Sequence, residues 1–179
     1  MTKAPIFPRH ILAYMSLRTI SGFYCLQYFH SQDILELAFL QIEHHDTSEA
    51  LLEIMIQEDC TCAEMYISFR DFLQEVNIHI PSQLEAFLIV AQYYAQNILN
   101  ETVSPLDGAR KIWFEICNEV ENPSEILTGF RTLASEIEDT PMFSEHNSLG
   151  NPKFKDLEEE IRVLAKNLLE IEPPDLLSD

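Results

Sequence analysis

The residues of this chain best suited to metal chemistry form one short run, in which His44, His45 and Asp46 follow Glu43. Imidazole and carboxylate groups are common metal ligands. Ligands on one helix share a face only when they lie three or four positions apart, whereas consecutive side chains point about 100° apart. The run also falls at a predicted helix C-terminus, where the helix dipole favours histidine. It is therefore either a helix end at the surface or part of a metal site with nearby carboxylates.

No sequence motif for catalysis accompanies this run. None of the six histidines has a glutamate three positions before it, so the Glu-x-x-His signature of di-iron helix bundles is missing. The chain has no Gly-x-Ser-x-Gly motif, and four glycines do not supply a glycine-rich phosphate loop. We therefore predict a protein that is not an enzyme and that uses no cofactor, with a metal-dependent helical enzyme as the less favoured alternative.

The four cysteines are Cys25, Cys60, Cys62 and Cys117. In a cytosolic protein they are expected to stay reduced. Cys25 and Cys117 fall on apolar helix faces, which argues against a catalytic thiol. The close pair Cys60 and Cys62 fits two small side chains at a helix start, or else metal or redox use.

Net charge is the strongest compositional signal, since 30 acidic residues oppose 11 basic ones and leave −19. Residues 33–75 hold 11 of the acids and a single base, Arg70, whereas the first 32 residues hold three bases and no acid. Such a field repels nucleic acid and anionic membranes, and it attracts basic proteins. Excess acid also improves solubility, so the charge indicates either a surface for a basic partner or a solubility device.

The spacing of helix-start signals predicts an all-α fold. Apolar residues recur with the period of a helix, and capping residues or prolines open each periodic segment. These signals stand at Ser31, Thr47 or Ser48, Thr61 with Glu64, Ser82 with Glu85, Ser104-Pro105, Asn122-Pro123 and Asn151-Pro152. We expect seven to nine helices joined by short loops, in a single-domain antiparallel bundle or a set of stacked hairpins.

Three parts of this pattern define expectations for the core. Residues 104–139 form two consecutive helices that contain Trp113, the single tryptophan, and we place the core there. Residues 9–30 are predicted as two helical pieces broken near Ser21-Gly22, with a strand at residues 20–29 as the alternative. In the helix after Ser48, the spacing turns Leu51, Leu52, Met55 and Ile56 inward and places Glu49 and Glu53 outside.

The remaining segments are predicted to be irregular. They are an extended lead at residues 1–8, a long loop at residues 139–151 and an acidic tail at residues 173–179. No stretch approaches the roughly 18 apolar residues of a membrane span, and the start of the chain lacks the pattern of a secretory signal. We therefore expect a soluble, cytoplasmic protein.

One stretch suggests a family. Residues 109–113 (ARKIW), Phe130 and residues 133–141 (LASEIEDTP) resemble, over about 40 residues, a segment of small bacterial immunity proteins. Those proteins neutralise polymorphic or contact-dependent toxins. The resemblance implies a helical, cytoplasmic, non-enzymatic protein that binds a toxin domain, and it transfers no binding residue.

Charge and resemblance together predict a partner-binding surface. Because many toxins are nucleases with basic, phosphate-binding sites, an acidic surface would associate quickly with such a site and block it. The predicted partner-binding residues are Asp46, Glu49, Glu53, Glu58 and Asp59. The alternative is a DNA mimic or a general binding module for a basic protein.

Overall fold

The computed structural model describes residues 7–43, 48–56, 61–139 and 152–172. Within these residues the chain forms nine α-helices, one π-helix and no β-strand, which confirms the predicted all-α fold. The elements are α1 (Arg9–Leu12), α2 (Leu17–Cys25), α3 (Ser31–Glu43), α4 (Glu49–Ile56), α5 (Cys62–Glu75), α6 (Gln83–Leu99), α7 (Pro105–Lys111), the π-helix (Ile112–Cys117), α8 (Glu125–Asp139) and α9 (Pro152–Leu168).

Contacts between Cα atoms divide the chain into two compact units, Met1–Ala86 and Phe87–Asp179. The first unit contains α1 to α5, and the second contains α7 to α9 and the π-helix. The single-domain organisation stays a prediction. Most residues of the predicted lead, long loop and acidic tail lie outside the described part of the chain.

The core of the first unit is built on phenylalanine rings. The ring of Phe7 packs edge-to-face on those of Phe23 and Phe29, with centroid distances of 5.2 and 5.7 Å. All three side chains are buried. Such pairs contribute about 0.5–1.5 kcal/mol beyond their apolar burial. The aromatic residues that admitted a strand at residues 20–29 therefore belong to a helical core, and α2 replaces the strand alternative.

The break in the first apolar stretch lies earlier than predicted. Ser16 caps α2, and its hydroxyl oxygen accepts a hydrogen bond from Thr19 N at 3.1 Å. Ser21 and Gly22, which were predicted to interrupt the helix, are buried within α2. Ser21 is tolerated there because its hydroxyl donates to the Arg18 carbonyl at 2.8 Å, which satisfies a buried polar group.

Both predicted capping boxes are confirmed. At the start of α5, Thr61 N donates to the Glu64 carboxylate at 2.8 Å while Glu64 N donates to the Thr61 hydroxyl at 3.3 Å. At the start of α6, Ser82 and Glu85 exchange the same two bonds at 2.7 and 3.4 Å. These local signals fix helix starts without any tertiary contact, which explains why the sequence suffices to locate them.

The second unit contains a feature that periodicity did not predict. The expected continuous helix is α7 followed directly by the π-helix, in which Ile112 and Ile116 are buried. Residues 104–139 contribute buried core residues as predicted, but Trp113 itself is half-buried and Phe114 is 54% exposed. The rings of Trp113 and Phe114 stack, with a centroid distance of 4.6 Å and an angle of 15° between the ring planes. The wider turn of a π-helix reduces the angle between consecutive side chains, which allows neighbouring rings to stack.

Helices α8 and α9 pack against each other and complete the second unit. Leu127 and Phe130 of α8 and Ile161 and Leu168 of α9 are fully buried. Both helices are amphipathic, with acidic residues on the opposite side, as the period of the apolar residues predicts. In the described part of the chain, no helix has the length and apolarity that crossing a membrane requires.

Candidate functional site

The start of α4 is fixed by Ser48, which is almost completely buried. Its hydroxyl oxygen accepts a hydrogen bond from Leu51 N at 3.3 Å, and its carbonyl accepts one from Leu52 N at 3.2 Å. Serine is a preferred N-cap because its side chain satisfies one of the N–H groups that the first helical turn leaves unpaired. The predicted helix start at Thr47 or Ser48 is therefore located at Ser48.

The inward face of α4 differs from the predicted one. Ala50, Leu51 and Ile54 are buried, whereas Leu52 is 44% exposed and Ile56 is 75% exposed. Six of the eight residues in this helix are apolar, which is more than one helix face can place in a core. Helix α4 packs against both α3 and α5, and these tertiary contacts determine which of its apolar residues are buried.

The four residues Glu49, Leu52, Glu53 and Ile56 form what we call the α4 face. Their spacing of three, one and three positions places them on one side of the helix. All four are exposed. Both acidic residues had been predicted to face outward, and the structure adds two large apolar side chains beside them. Exposed apolar residues flanked by charge are typical of protein-binding surfaces.

The charge of the α4 face is not neutralised by the described part of the chain. No lysine, arginine or histidine among the described residues forms an ion pair with Glu49 or Glu53. Like charges four positions apart on a helix repel each other by roughly 0.2–0.5 kcal/mol. The hydroxyl of Ser68 on α5 donates to the Glu53 carboxylate at 3.4 Å, which restrains that side chain. The face therefore presents two negative charges to solvent.

Other acidic residues of the stretch 33–75 have partners within the first unit. Arg9 binds the carboxylates of Glu36 and Glu43 at 3.3 and 2.7 Å, and the bond to Glu43 raises the pKa of Arg9. Arg70 binds Asp71 at 3.2 Å. The stretch contributes eight described acids, and five of these serve the fold through such ion pairs or through helix caps; these five are Asp33, Glu36, Glu43, Glu64 and Asp71.

The structure therefore brings together two of the five predicted partner-binding residues, Glu49 and Glu53. The other three, Asp46, Glu58 and Asp59, lie outside the described residues. His44, His45 and Cys60 also lie outside them. Within the described residues, no group of three histidine, cysteine or acidic side chains is arranged to hold a metal ion. The metal alternative at Glu43, His44 and His45 stays a prediction.

The two cysteines with described side chains are poor nucleophiles. The Cys25 thiol donates to the Pro81 carbonyl at 3.2 Å, and burial raises its pKa, as does the Glu85 carboxylate. Cys117 is buried in the π-helix, and this burial raises its pKa despite the charge of Arg131. Because the thiolate is the reactive form, both thiols are held in their unreactive state near neutral pH.

A polar cluster that the sequence analysis missed connects α6 with the π-helix. The hydroxyl of Tyr94, which is buried, donates to the Glu115 carboxylate. Lys111 Nζ lies 5.1 Å from the centre of the Tyr94 ring, a cation–π distance. Periodicity places Tyr94 in the core but does not identify a hydroxyl partner on another helix. The cluster satisfies a buried polar group, which is a structural role.

Comparison with protein-family models, with characterised proteins and with solved structures finds no match for this sequence. The resemblance to immunity proteins therefore stays a prediction.

Proposed function

We propose that this chain is a non-enzymatic acidic binding protein that docks a basic protein through the α4 face. The observation that supports this proposal is the composition of that face. Glu49, Leu52, Glu53 and Ile56 share one exposed side of a helix, and the described part of the chain supplies no cation to the two carboxylates. The two large apolar side chains beside the charges do not improve solubility, which favours a docking face over a face that serves solubility alone.

The two kinds of residue have different roles in this proposal. Burying Ile56, which is 75% exposed, in a partner contributes on the order of 1–2 kcal/mol, and burying Leu52, which is 44% exposed, contributes about 1 kcal/mol. Residues that are fully excluded from water at the centre of an interface contribute most of its affinity, and these two side chains are the candidates on the α4 face. The carboxylates of Glu49 and Glu53 accelerate encounter with a positively charged surface and reject acidic competitors.

The partner we propose is a cognate bacterial toxin whose active site is basic, such as a nuclease. In that case the chain is a cytoplasmic immunity protein that occludes the site, as the resemblance at residues 109–141 suggests. The alternating apolar and acidic residues favour a protein-docking face over a DNA mimic, because a duplex presents closely spaced phosphates along its outside. A mimic of that surface would need denser charge than α4 offers.

The test uses the product of the adjacent gene as the candidate toxin, in a growth-rescue assay and in association kinetics. Reversing both charges with Glu49→Lys and Glu53→Lys is expected to slow association on the order of tenfold at low salt. The matched control reverses two exposed acids of the second unit, Glu119→Lys and Glu121→Lys, which changes net charge equally.

Replacing Ile56 with serine is expected to accelerate dissociation while leaving association nearly unchanged, because apolar contact forms after encounter. Far-UV circular dichroism verifies that each variant is folded. If the α4 and control double variants slow association equally, net charge rather than the α4 face attracts the partner, and the assignment of the site is wrong. If wild-type protein neither binds the toxin nor rescues growth, the proposed partner is wrong.

A further inference from the structure

A groove of about 570 Å³ runs between α8 and α9 in the second unit. Its apolar walls include Leu133 on α8 and Val163 and Leu164 on α9. Val163 is 51% exposed although it is a large aliphatic residue, so the groove is open to solvent. The volume falls within the range of about 300–1,000 Å³ that small-molecule sites occupy.

The close approach of the two helices at the groove depends on Gly129, which lies within α8. A Cβ atom at this position would lie 2.8 Å from Leu164 Cδ1, which is too close for two carbon atoms. Glycine inside a helix costs about 1 kcal/mol relative to alanine. Because Gly129 has no side chain, Leu164 contacts the backbone of α8 directly, and both residues line the groove.

The polar residues that line the groove are two threonines and two glutamates, so its charged groups are all negative. The hydroxyls of Thr128 and Thr132 donate to the carbonyls of Pro123 and Thr128, at 3.5 and 3.0 Å. The carboxylates of Glu125 and Glu160 are exposed and belong to the lining. The described residues that line the groove include no lysine, arginine or histidine. The lining therefore combines an aliphatic surface with two negative charges.

We propose that this groove binds a small cationic amphiphile, a molecule with an aliphatic body and a protonated amine. The aliphatic body would cover Leu133, Val163 and Leu164, which removes their surface from water. The ammonium group would donate charge-assisted hydrogen bonds to Glu125 or Glu160. An anionic amphiphile of the same length would meet the same aliphatic surface but be repelled by both carboxylates. Selectivity for a cationic over an anionic ligand therefore distinguishes this site from a nonspecific apolar surface.

The test is a titration of the full chain with octylamine, octanol and octanoate, followed through the NMR signals of the methyl groups. We expect octylamine to shift the methyl signals of Leu133, Val163 and Leu164 at lower concentration than octanol, and octanoate to have the least effect. Replacing Glu160 with glutamine is expected to weaken octylamine binding about two- to fivefold, the range for exposed ion pairs. The control Glu119→Gln should leave it unchanged.

A second variant tests the position of the site without disturbing the core. Val163→Lys adds a cation to the groove, and it should weaken octylamine binding and strengthen octanoate binding. Its matched control is Ile67→Lys in the first unit, since Ile67 is also 51% exposed. The proposal is overturned if the three probes shift the same methyl signals at equal concentration, or if Val163→Lys and Ile67→Lys change octylamine binding alike.

Discussion

Replacing Asp33 with alanine should destabilise the first unit although the substitution removes one of an excess of acids. Asp33 is completely buried, and each of its two carboxylate oxygens accepts a backbone N–H. One bond comes from Phe7 N at 2.9 Å and the other from His30 N at 2.8 Å. The carboxylate therefore connects the start of the described chain to the first turn of α3, and alanine would leave both N–H groups without it.

The size of the effect follows from these two bonds. A hydrogen bond to a charged group contributes about 1.5–3 kcal/mol, and a buried donor left unpaired costs about 1–3 kcal/mol. Phe7 is buried, so water does not replace its bond, whereas His30 is half-buried and recovers part of the loss from solvent. We therefore expect Asp33→Ala to lower the free energy of unfolding by about 2–4 kcal/mol. Asp33→Asn should cost a similar amount, because its NH₂ group would face one of the two donors.

Urea denaturation of the full chain, followed by far-UV circular dichroism, measures this free energy. The control is Glu36→Ala, which breaks a partly exposed ion pair with Arg9 and should cost at most about 1 kcal/mol. Hydrogen exchange should also show faster exchange at the Phe7 and His30 amides in Asp33→Ala alone. An Asp33→Ala variant within about 0.5 kcal/mol of wild type would refute the reasoning.

Two matched pairs of substitutions test the helix starts and the glycines. The Ser104 hydroxyl accepts a capping bond from Asp107 N at 3.1 Å, so Ser104→Ala should lower the free energy of unfolding, measured by urea denaturation, by about 1 kcal/mol. Ser124→Ala should be neutral or stabilising, because the buried Ser124 hydroxyl has no partner among the described residues. Equal costs would contradict this difference. A Cβ at Gly108 would lie 2.3 Å from Cγ1 of the buried Ile98, so we expect Gly108→Ala to lower the free energy of unfolding by about 1–3 kcal/mol. Gly129→Ala should cost less, because its Cβ would meet the end of the half-buried Leu164 side chain at 2.8 Å. The opposite order would contradict the packing argument.

Local signals made much of the fold predictable from the sequence. Capping boxes at Thr61 and Ser82 and the proline at the start of α9 depend on residues within one helical turn, so they identify helix starts without tertiary information. The break near Ser21 was misplaced because small polar residues also occur inside helices when the turn below satisfies them. The π-helix could not be distinguished from an α-helix by periodicity, because the apolar spacing that places Ile112, Ile116 and Cys117 inward is met by both.

The site was only partly predictable, because acidic residues serve two different purposes. A count of charges along residues 33–75 treats Asp33, Glu43 and Glu53 alike, yet the first pairs with backbone N–H groups, the second with Arg9 and the third faces solvent. An arginine can bind two carboxylates, so a large formal excess leaves less free charge than the count indicates. Tertiary contacts decide which carboxylates have a partner and which face solvent, and a count of charges along the sequence does not contain those contacts.

The same reasoning explains why α4 is the strongest candidate in the described part of the chain. A helix with six apolar residues in eight can bury only one face against α3 and α5, so some apolar surface must face outward. Contiguous exposed apolar surface rimmed by polar residues is typical of protein-binding sites, and Leu52 and Ile56 lie four positions apart on one side of α4. In the proposed function, Leu52 and Ile56 thus identify the docking face, and Glu49 and Glu53 define the expected sign of the partner's charge.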